Sequence, residues 1–169
     1  MIYLNIGSNL PSCYGGRRAN IKKSVKFLKE LKIKLIDISD FYETPSYPDK
    51  TKPKFINLCL KIETNLRPNI LLKEIQKIEK KMGRNRSKAN EPRVCDIDII
   101  DYKGKIINEN DLKIPHPKLH LRNFVIYPLR EIEPGWLHPI FNKKINSFFL
   151  DLDKNTHKEI TRLGKSDIL

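Results

Sequence analysis

The order of hydrophobic patterns along this chain predicts an α+β sandwich, and three observations carry that expectation. Segments 54–64 and 91–100 alternate residue types with the period of two that marks a strand with unlike faces. Two other segments repeat apolar residues at helical spacing, Ile21, Val25 and Leu28 in one and Leu71, Ile75, Ile78 and Met82 in the other. Taken with the apolar segments between them, the chain reads strand, helix, strand, strand, helix, strand. That order puts both helices on one sheet face and leaves the other face free.

Residues 2–7 form the first strand, ended by the turn Gly7, Ser8, Asn9. A loop containing Gly15 and Gly16 leads to the first helix, and residues 34–43 read as the second strand. The proline-rich stretch TPSYPDKTKP is a loop. In 54–64, Ile56, Leu58, Leu60 and Ile62 make one face, and Phe55, Asn57, Cys59, Lys61 and Glu63 make the other. The second helix starts near Pro68, a good first-turn residue, and stops at Gly83, with Gln76 and Glu79 off its apolar stripe. After the fourth strand, YKGKII predicts a hairpin around Lys103 and Gly104, and the remaining tail adds a helix over or beside the free face. The whole is a ferredoxin-like βαββαβ sandwich with additional C-terminal helix and hairpin elements.

At 169 residues and 39% hydrophobic content, the chain suits one domain, 1–169, with a real core. No apolar run approaches the length needed to span a bilayer and no basic leader precedes MIYLNIGSNL, so a soluble cytoplasmic protein is expected, without a membrane partner. Cys13, Cys59 and Cys95 are odd in number and form no CxxC pair, which argues for reduced thiols. A net charge of +13 implies anionic partners, among nucleic acid, a membrane surface and phosphorylated small molecules. Much of it lies in runs such as RRANIKKSVKFLKELKIK, which read as solvated helix faces.

The stretch EPRVCDIDII narrows the choice. Cys95, Ile97 and Ile99 point to one face, and Asp96 and Asp98 share the other, with Cα atoms roughly 6 to 7 Å apart. Like charges that close are costly where water is limited, so something positive should sit between them. An oxygen-only carboxylate pair suits a hard cation such as Mg²⁺, which binds through one or two carboxylates plus substrate phosphates. Arg84, Arg86, Lys88 and Arg93 precede Asp96 within a dozen residues, and guanidinium donors beside metal-binding acids suit a polyphosphate. There is no GxxxxGK[ST] and no GxGxxG, so side chains must hold the phosphates.

His116 in IPHP and Arg122 are weaker signals, since a His between two prolines is more often a packed turn residue than a ligand contact, and Phe55 and Phe124 share that ambiguity, most single aromatics being core. Phe55 stands out because it lies on the polar face of its strand, where it offers a stacking surface to a planar ring.

Together, IGSN, FYETP, FINLCLKIET, IEKKMGRNR, EPRVCDIDII, IPHPKLHLRNFVIYPL and PGWLHP resemble the 6-hydroxymethyl-7,8-dihydropterin pyrophosphokinase family over nearly the whole chain. The resemblance implies a ferredoxin-like fold and transfer of the β,γ-diphosphate of ATP to the pterin hydroxymethyl group, with release of AMP. By motif, it implies Asp96 and Asp98 as ligands of two Mg²⁺ ions and Arg84 and Arg93 as mobile-loop arginines clamping the phosphates. It further implies Arg86, His116 and Arg122 at the ATP phosphates or ribose, and Gln76 and Ile99 near the nucleotide. Thr44, Pro45 and Asn57 correspond to contacts along the pterin edge, Phe55 and Phe124 to the two faces of its sandwich, and Glu79 also matches a site position. The expected partners are ATP and 6-hydroxymethyl-7,8-dihydropterin, without nucleic acid, for a monomer. Two departures stand out: the segment Leu10 to Asn20 is longer than the family's GSNLGDR pattern, and Asn90 and Glu91 replace a customary Trp and Gly.

An RRM-like RNA-binding module shares the βαββαβ order and the basic charge. Its aromatic octapeptide is matched only in part by HLRNFVIY, which falls after the fourth strand, and two sheet-face aspartates would repel RNA phosphates.

Overall fold

The computed structural model describes residues 1–84 and 91–168. In chain order the elements are β1 (Ile2–Ser8), α1 (Arg17–Glu30), β2 (Lys34–Ile38), β3 (Phe41–Thr44), β4 (Phe55–Glu63), α2 (Pro68–Lys81), β5 (Asp96–Tyr102), β6 (Ile107–Asn108) and β7 (Lys113–Ile114). A short 3₁₀ turn at Leu119–Leu121 follows, then α3 (Asn123–Ile132), α4 (Ile145–Asp151), α5 (Lys154–Lys158) and β8 (Thr161–Gly164). The main sheet runs β5-β1-β4-β3-β8, with β2 also paired to β4. Its first four positions are the strand order of a ferredoxin-like sandwich, and the pairs involving β1 and β4 are antiparallel.

Both faces of the sheet bury apolar residues, but against different layers. Ile56, Leu58, Leu60 and Ile62 of β4 join Ile97 and Ile99 of β5 and the stripes of α1 and α2 in the larger core. Each such aliphatic side chain contributes roughly 1.5 to 3 kcal/mol by leaving water. On the other face, Tyr3, Cys59 and Ile100 pack under α3 and α4 with Val125, Ile126, Leu129 and Phe148. The face expected to be free is therefore partly covered, and the end carrying Asn57, Asp96 and Asp98 is polar.

Two expected elements differ in detail. The strand predicted at 34–43 divides, because Ser39 bonds back to Cys59 while the Asp40 N–H is drawn out of the sheet to Glu131 at 3.1 Å. The turn at Lys103 and Gly104 forms with positive φ at both residues, the geometry of a tight hairpin turn. Its exit strand β6 pairs with β7, however, and not back onto β5. The basic run of α1 is as expected, with Lys22, Lys26 and Lys29 exposed while Ile21, Val25 and Leu28 are buried.

The end of α2 matters most for the site. Gly83 adopts φ +91° just past the helix, and its N–H donates to the Lys80 carbonyl at 3.0 Å. The Arg84 N–H then donates to the Glu79 carbonyl at 2.9 Å. This pair of bonds is a Schellman stop, which needs a left-handed residue that glycine supplies without strain. It folds Arg84 back over the last turn of its own helix.

Candidate active site

Three strands present the polar end of the sheet. Gly7 of β1 lies between Asn57 of β4 and Asp96 of β5 in register, and Asn5 lies between Cys59 and Asp98. Directly opposed residues share a face, so Asn57, Asp96 and Asp98 project together. A side chain at Gly7 would fill this row: a Cβ there would stand 2.6 Å from Asn57 Oδ1 and 3.4 Å from the Phe55 ring. Asn57 Nδ2 donates to Thr44 Oγ1 at 3.3 Å, and Thr44 pairs with Phe55 across β3 and β4. Pro45 follows Thr44 directly. Opposite, the Asn5 amide nitrogen donates to the Phe124 and Leu58 carbonyls at 3.1 and 3.2 Å, which ties the start of α3 to the sheet.

Each aspartate faces positive charge of its own, supplied by guanidinium groups. Arg84 bridges the carboxylates of Glu79 and Asp96, the latter at 2.6 Å. Arg93 lies 3.4 Å from Asp96, and Arg122 lies 3.6 Å from Asp98. The same two arginines lie over the aromatic pair, Arg93 at 5.6 Å from the Phe55 ring centre and Arg122 at 5.4 Å from that of Phe124. Each arginine therefore sits between one aspartate and one aromatic ring. Among the described residues, Arg93 Nε is buried with no hydrogen-bond partner, a spare donor suited to an oxyanion.

These neighbours set the titration of the site. Desolvation first, and the charge of Asp96 second, push the Asp98 carboxyl up to about 7 against the pull of Arg122. Burial and the nearby Arg122 hold His116 down at about 4, so its ring is neutral at pH 7. Its Nε2 lies 3.4 Å from Arg122 Nη1, which can only donate. Desolvation works against the charge of Arg84, but Asp96 and Glu79 outweigh it and raise its pKa.

Glu79, off the apolar stripe of α2, is only 1% exposed. Besides Arg84 it accepts the Ile97 N–H at 2.9 Å, on the free edge of β5. Ile99 lies two residues further along that edge, its side chain buried in the larger core, so only its main chain faces outward. Gln76 lies one helical turn before Glu79, half-buried. Arg86, with Lys88 and Asn90, lies outside the described residues. The lengthened segment after Leu10 folds into a tight turn between Ser12 and Gly15, secured by Asn20, which accepts from Ser12 Oγ at 2.6 Å and donates to the Leu10 carbonyl at 2.8 Å. Gly7 and Asn9 were not among the predicted site residues, although both border them.

The donor set fits a hard divalent cation. Two carboxylates converge, one of them pushed up by burial and then by the other's charge, the second of which a cation would relieve. Among the described residues no group of three His, Cys, Asp or Glu could hold a metal ion, so substrate oxygens would have to complete the set. The RNA-binding alternative fails on this geometry, because HLRNFVIY runs through the 3₁₀ turn into α3 and that helix covers the sheet face where RNA would stack.

Residues 3–134 match the family described as 7,8-dihydro-6-hydroxymethylpterin-pyrophosphokinase. The chain is 40% identical over 147 residues to a 2-amino-4-hydroxy-6-hydroxymethyldihydropteridine pyrophosphokinase of Aquifex aeolicus, covering 87% of this chain and 89% of that one. It is 41% identical over 152 residues to the folic acid synthesis protein FOL1 of Dictyostelium discoideum, covering 90% of this chain and 22% of the other. Among solved structures, the Plasmodium falciparum HPPK-DHPS protein superposes with a TM-score of 0.71 at 16% identity, over 95% of this chain and 47% of that one. The chain thus spans about a fifth of the one longer relative and about half of the other. Its sheet order and the extent of these matches lead to one assignment: the chain belongs to the 7,8-dihydro-6-hydroxymethylpterin-pyrophosphokinase family.

Proposed function

We propose that this chain is one pyrophosphokinase domain that transfers the diphosphoryl group of ATP to the hydroxymethyl group of 6-hydroxymethyl-7,8-dihydropterin, releasing AMP, in folate biosynthesis. The observation that carries the reading is the pairing of Asp96 and Asp98 with three arginines, two of which cover the rings of Phe55 and Phe124. A planar pterin entering between those rings displaces the guanidinium groups from the aromatic faces and frees them for the triphosphate.

Asp96 and Asp98 would hold two Mg²⁺ ions, which would neutralise the polyphosphate and lower the field that repels the incoming hydroxyl. Arg84 and Arg93 exchange Asp96 for phosphate oxygens, and the spare Arg93 Nε donor fits the same task. Glu79 keeps Arg84 in place through the exchange. His116, neutral at pH 7, and Arg122 hold the phosphates or ribose, and Arg86 assists. The free edge of β5 at Ile99, with Gln76 nearby, takes the nucleotide. Thr44, Pro45 and Asn57 read the pterin edge. Positioning and charge neutralisation supply the rate, with no covalent intermediate on the protein.

We take the protein to be a cytoplasmic monomer; no described helix is long and apolar enough to cross a membrane. Incubating the protein with ATP, Mg²⁺ and the hydroxymethyl pterin and resolving the nucleotides is the test. AMP formed in step with pterin diphosphate supports the assignment, and ADP in place of AMP would replace it with an ordinary kinase.

A further inference from the structure

The segment after β1 carries a buried side chain that none of the roles above uses. Asn9 is 2% exposed, and both polar atoms of its amide are engaged. Its Oδ1 accepts the Arg93 N–H at 2.6 Å, and its Nδ2 donates to Ser46 Oγ at 3.2 Å and to the Pro53 carbonyl at 3.0 Å. Its own backbone N–H donates to the Arg93 carbonyl at 3.1 Å. The Pro53 carbonyl can only accept and the Arg93 N–H can only donate, so these partners fix which way the amide faces.

The three partners belong to separate parts of the site. Ser46 follows Thr44 and Pro45, and Pro53 precedes Phe55 by two residues. Ser46 Oγ donates to the Pro53 carbonyl at 2.7 Å, which draws the two legs of this loop together at the point where Asn9 grips both. The third partner, Arg93, faces Asp96 and the Phe55 ring. A buried amide satisfied by three segments holds them in one relative position, because moving any of them strands a polar group away from water.

We propose that Asn9 is a positioning residue that couples the pterin slot to the phosphate clamp. The nitrogen end of its amide sets the spacing of Thr44 and Pro45 against Phe55, and the oxygen end sets Arg93. This rests on the pyrophosphokinase reading above. The two ends are chemically separable. Asn9→Asp keeps an oxygen for the Arg93 N–H and loses both Nδ2 donors, whereas Asn9→Ala loses all three side-chain bonds.

The test compares wild type, both variants and Ser46→Ala in AMP formation, with kcat, the pterin KM, the dissociation constant of a non-hydrolysable MgATP analogue, and melting temperature measured for each. In Asn9→Asp the pterin KM should rise about tenfold, as for loss of buried hydrogen bonds, with kcat within about threefold of wild type. In Asn9→Ala the pterin KM should rise as far and kcat should also fall about tenfold. The analogue should bind both variants within about threefold of wild type. Ser46→Ala, which introduces no charge, should raise the pterin KM about threefold and carries the test if Asn9→Asp does not fold. Equal kcat losses in the two Asn9 variants would overturn the two-ended coupling, as would an unchanged pterin KM in Ser46→Ala. Proportional losses in every constant, tracking the melting temperature, would reduce Asn9 to a structural residue. A wild-type protein that forms no AMP would overturn the pyrophosphokinase reading itself.

Discussion

The two faces of the central sheet are made by the same strands, yet one is apolar from end to end and the other changes character half way. Toward α1 and α2, Ile56, Leu58, Leu60, Ile97 and Ile99 are all within the core. Toward α3, Tyr3, Cys59 and Ile100 are buried, while Asn57, Asp96 and Asp98 form a polar end with its own arginines. Neighbours one residue apart on β5 therefore join the apolar core or the polar end according to which way they point. The helix-side face meets two continuous apolar stripes. The opposite face meets a single main helix that covers only part of it.

The largest break in this contrast is expected at Asp96. Asp96→Asn should lower turnover on the order of 1000-fold, because it removes the partner of two arginines and, on the proposed reading, a carboxylate that would hold metal. Circular dichroism of the variant should stay native; a lost fold would move Asp96 from the chemical face to the structural one. Next come the arginines. Arg84→Ala or Arg93→Ala should lower turnover about 100-fold, as for loss of a transition-state charge donor, with a much smaller change in ATP affinity. Variants that lose ATP affinity alone would make these arginines static binding groups. A smaller effect is expected at Phe55, where substitution by Ala should weaken pterin binding by about 0.5 to 1.5 kcal/mol beyond lost area and leave ATP binding nearly unchanged in titrations. Equal losses for both ligands would assign Phe55 to the sheet.

The pH dependence sharpens the contrast further, because only the chemical face carries a carboxyl pushed so far upward. Asp98 is raised to about 7 in the folded ligand-free protein, so the folded state holds its proton more tightly than the unfolded chain. Its contribution to stability is full below the unfolded value near 4 and is lost as the pH rises to about 7. Denaturant titrations across that window should show a decline that Asp98→Asn flattens. Binding of Mg²⁺ near pH 6.5 should release a proton from the wild type and none from the variant. An identical stability profile in both proteins would rule out Asp98 as the titrating group.

Much of this was legible in the sequence because the strands keep a period of two. Alternation alone put Phe55 and Asn57 on one face of β4 and Asp96 and Asp98 on one face of β5, and the structure keeps both pairings. Helix stripes and the Pro68 and Gly83 boundaries were equally local signals. What escaped was set by distant partners. Glu79 matches a site position by resemblance, but its burial against Arg84, which folds back through the stop at Gly83, has no signal in the local pattern. Asn9 looks like an ordinary turn residue, since its side-chain partners lie 37, 44 and 84 positions away. The division of the second strand at Ser39 and Asp40 depends on Glu131 in α3, which no local pattern announces. Strand β8, paired to β3 from the far end of the chain, carries too short a pattern to be read alone.

The most direct measurement sets adjacent residues of β5 side by side, following turnover and thermal melting for Asp98→Asn and Ile97→Ala under one set of conditions. The expected result is a loss of turnover on the order of 1000-fold with an unchanged or slightly higher melting temperature for Asp98→Asn, whose ionised form is disfavoured by burial and by Asp96 in the ligand-free protein. For Ile97→Ala it is a loss of about 2 to 5 kcal/mol of stability, seen as a melting temperature lower by roughly 5 to 15 °C, with turnover per folded molecule largely kept. The contradicting result is an active Asp98→Asn enzyme, or two variants that lose stability and turnover in parallel, since either would mean that the two faces of the sheet do not divide stability from chemistry.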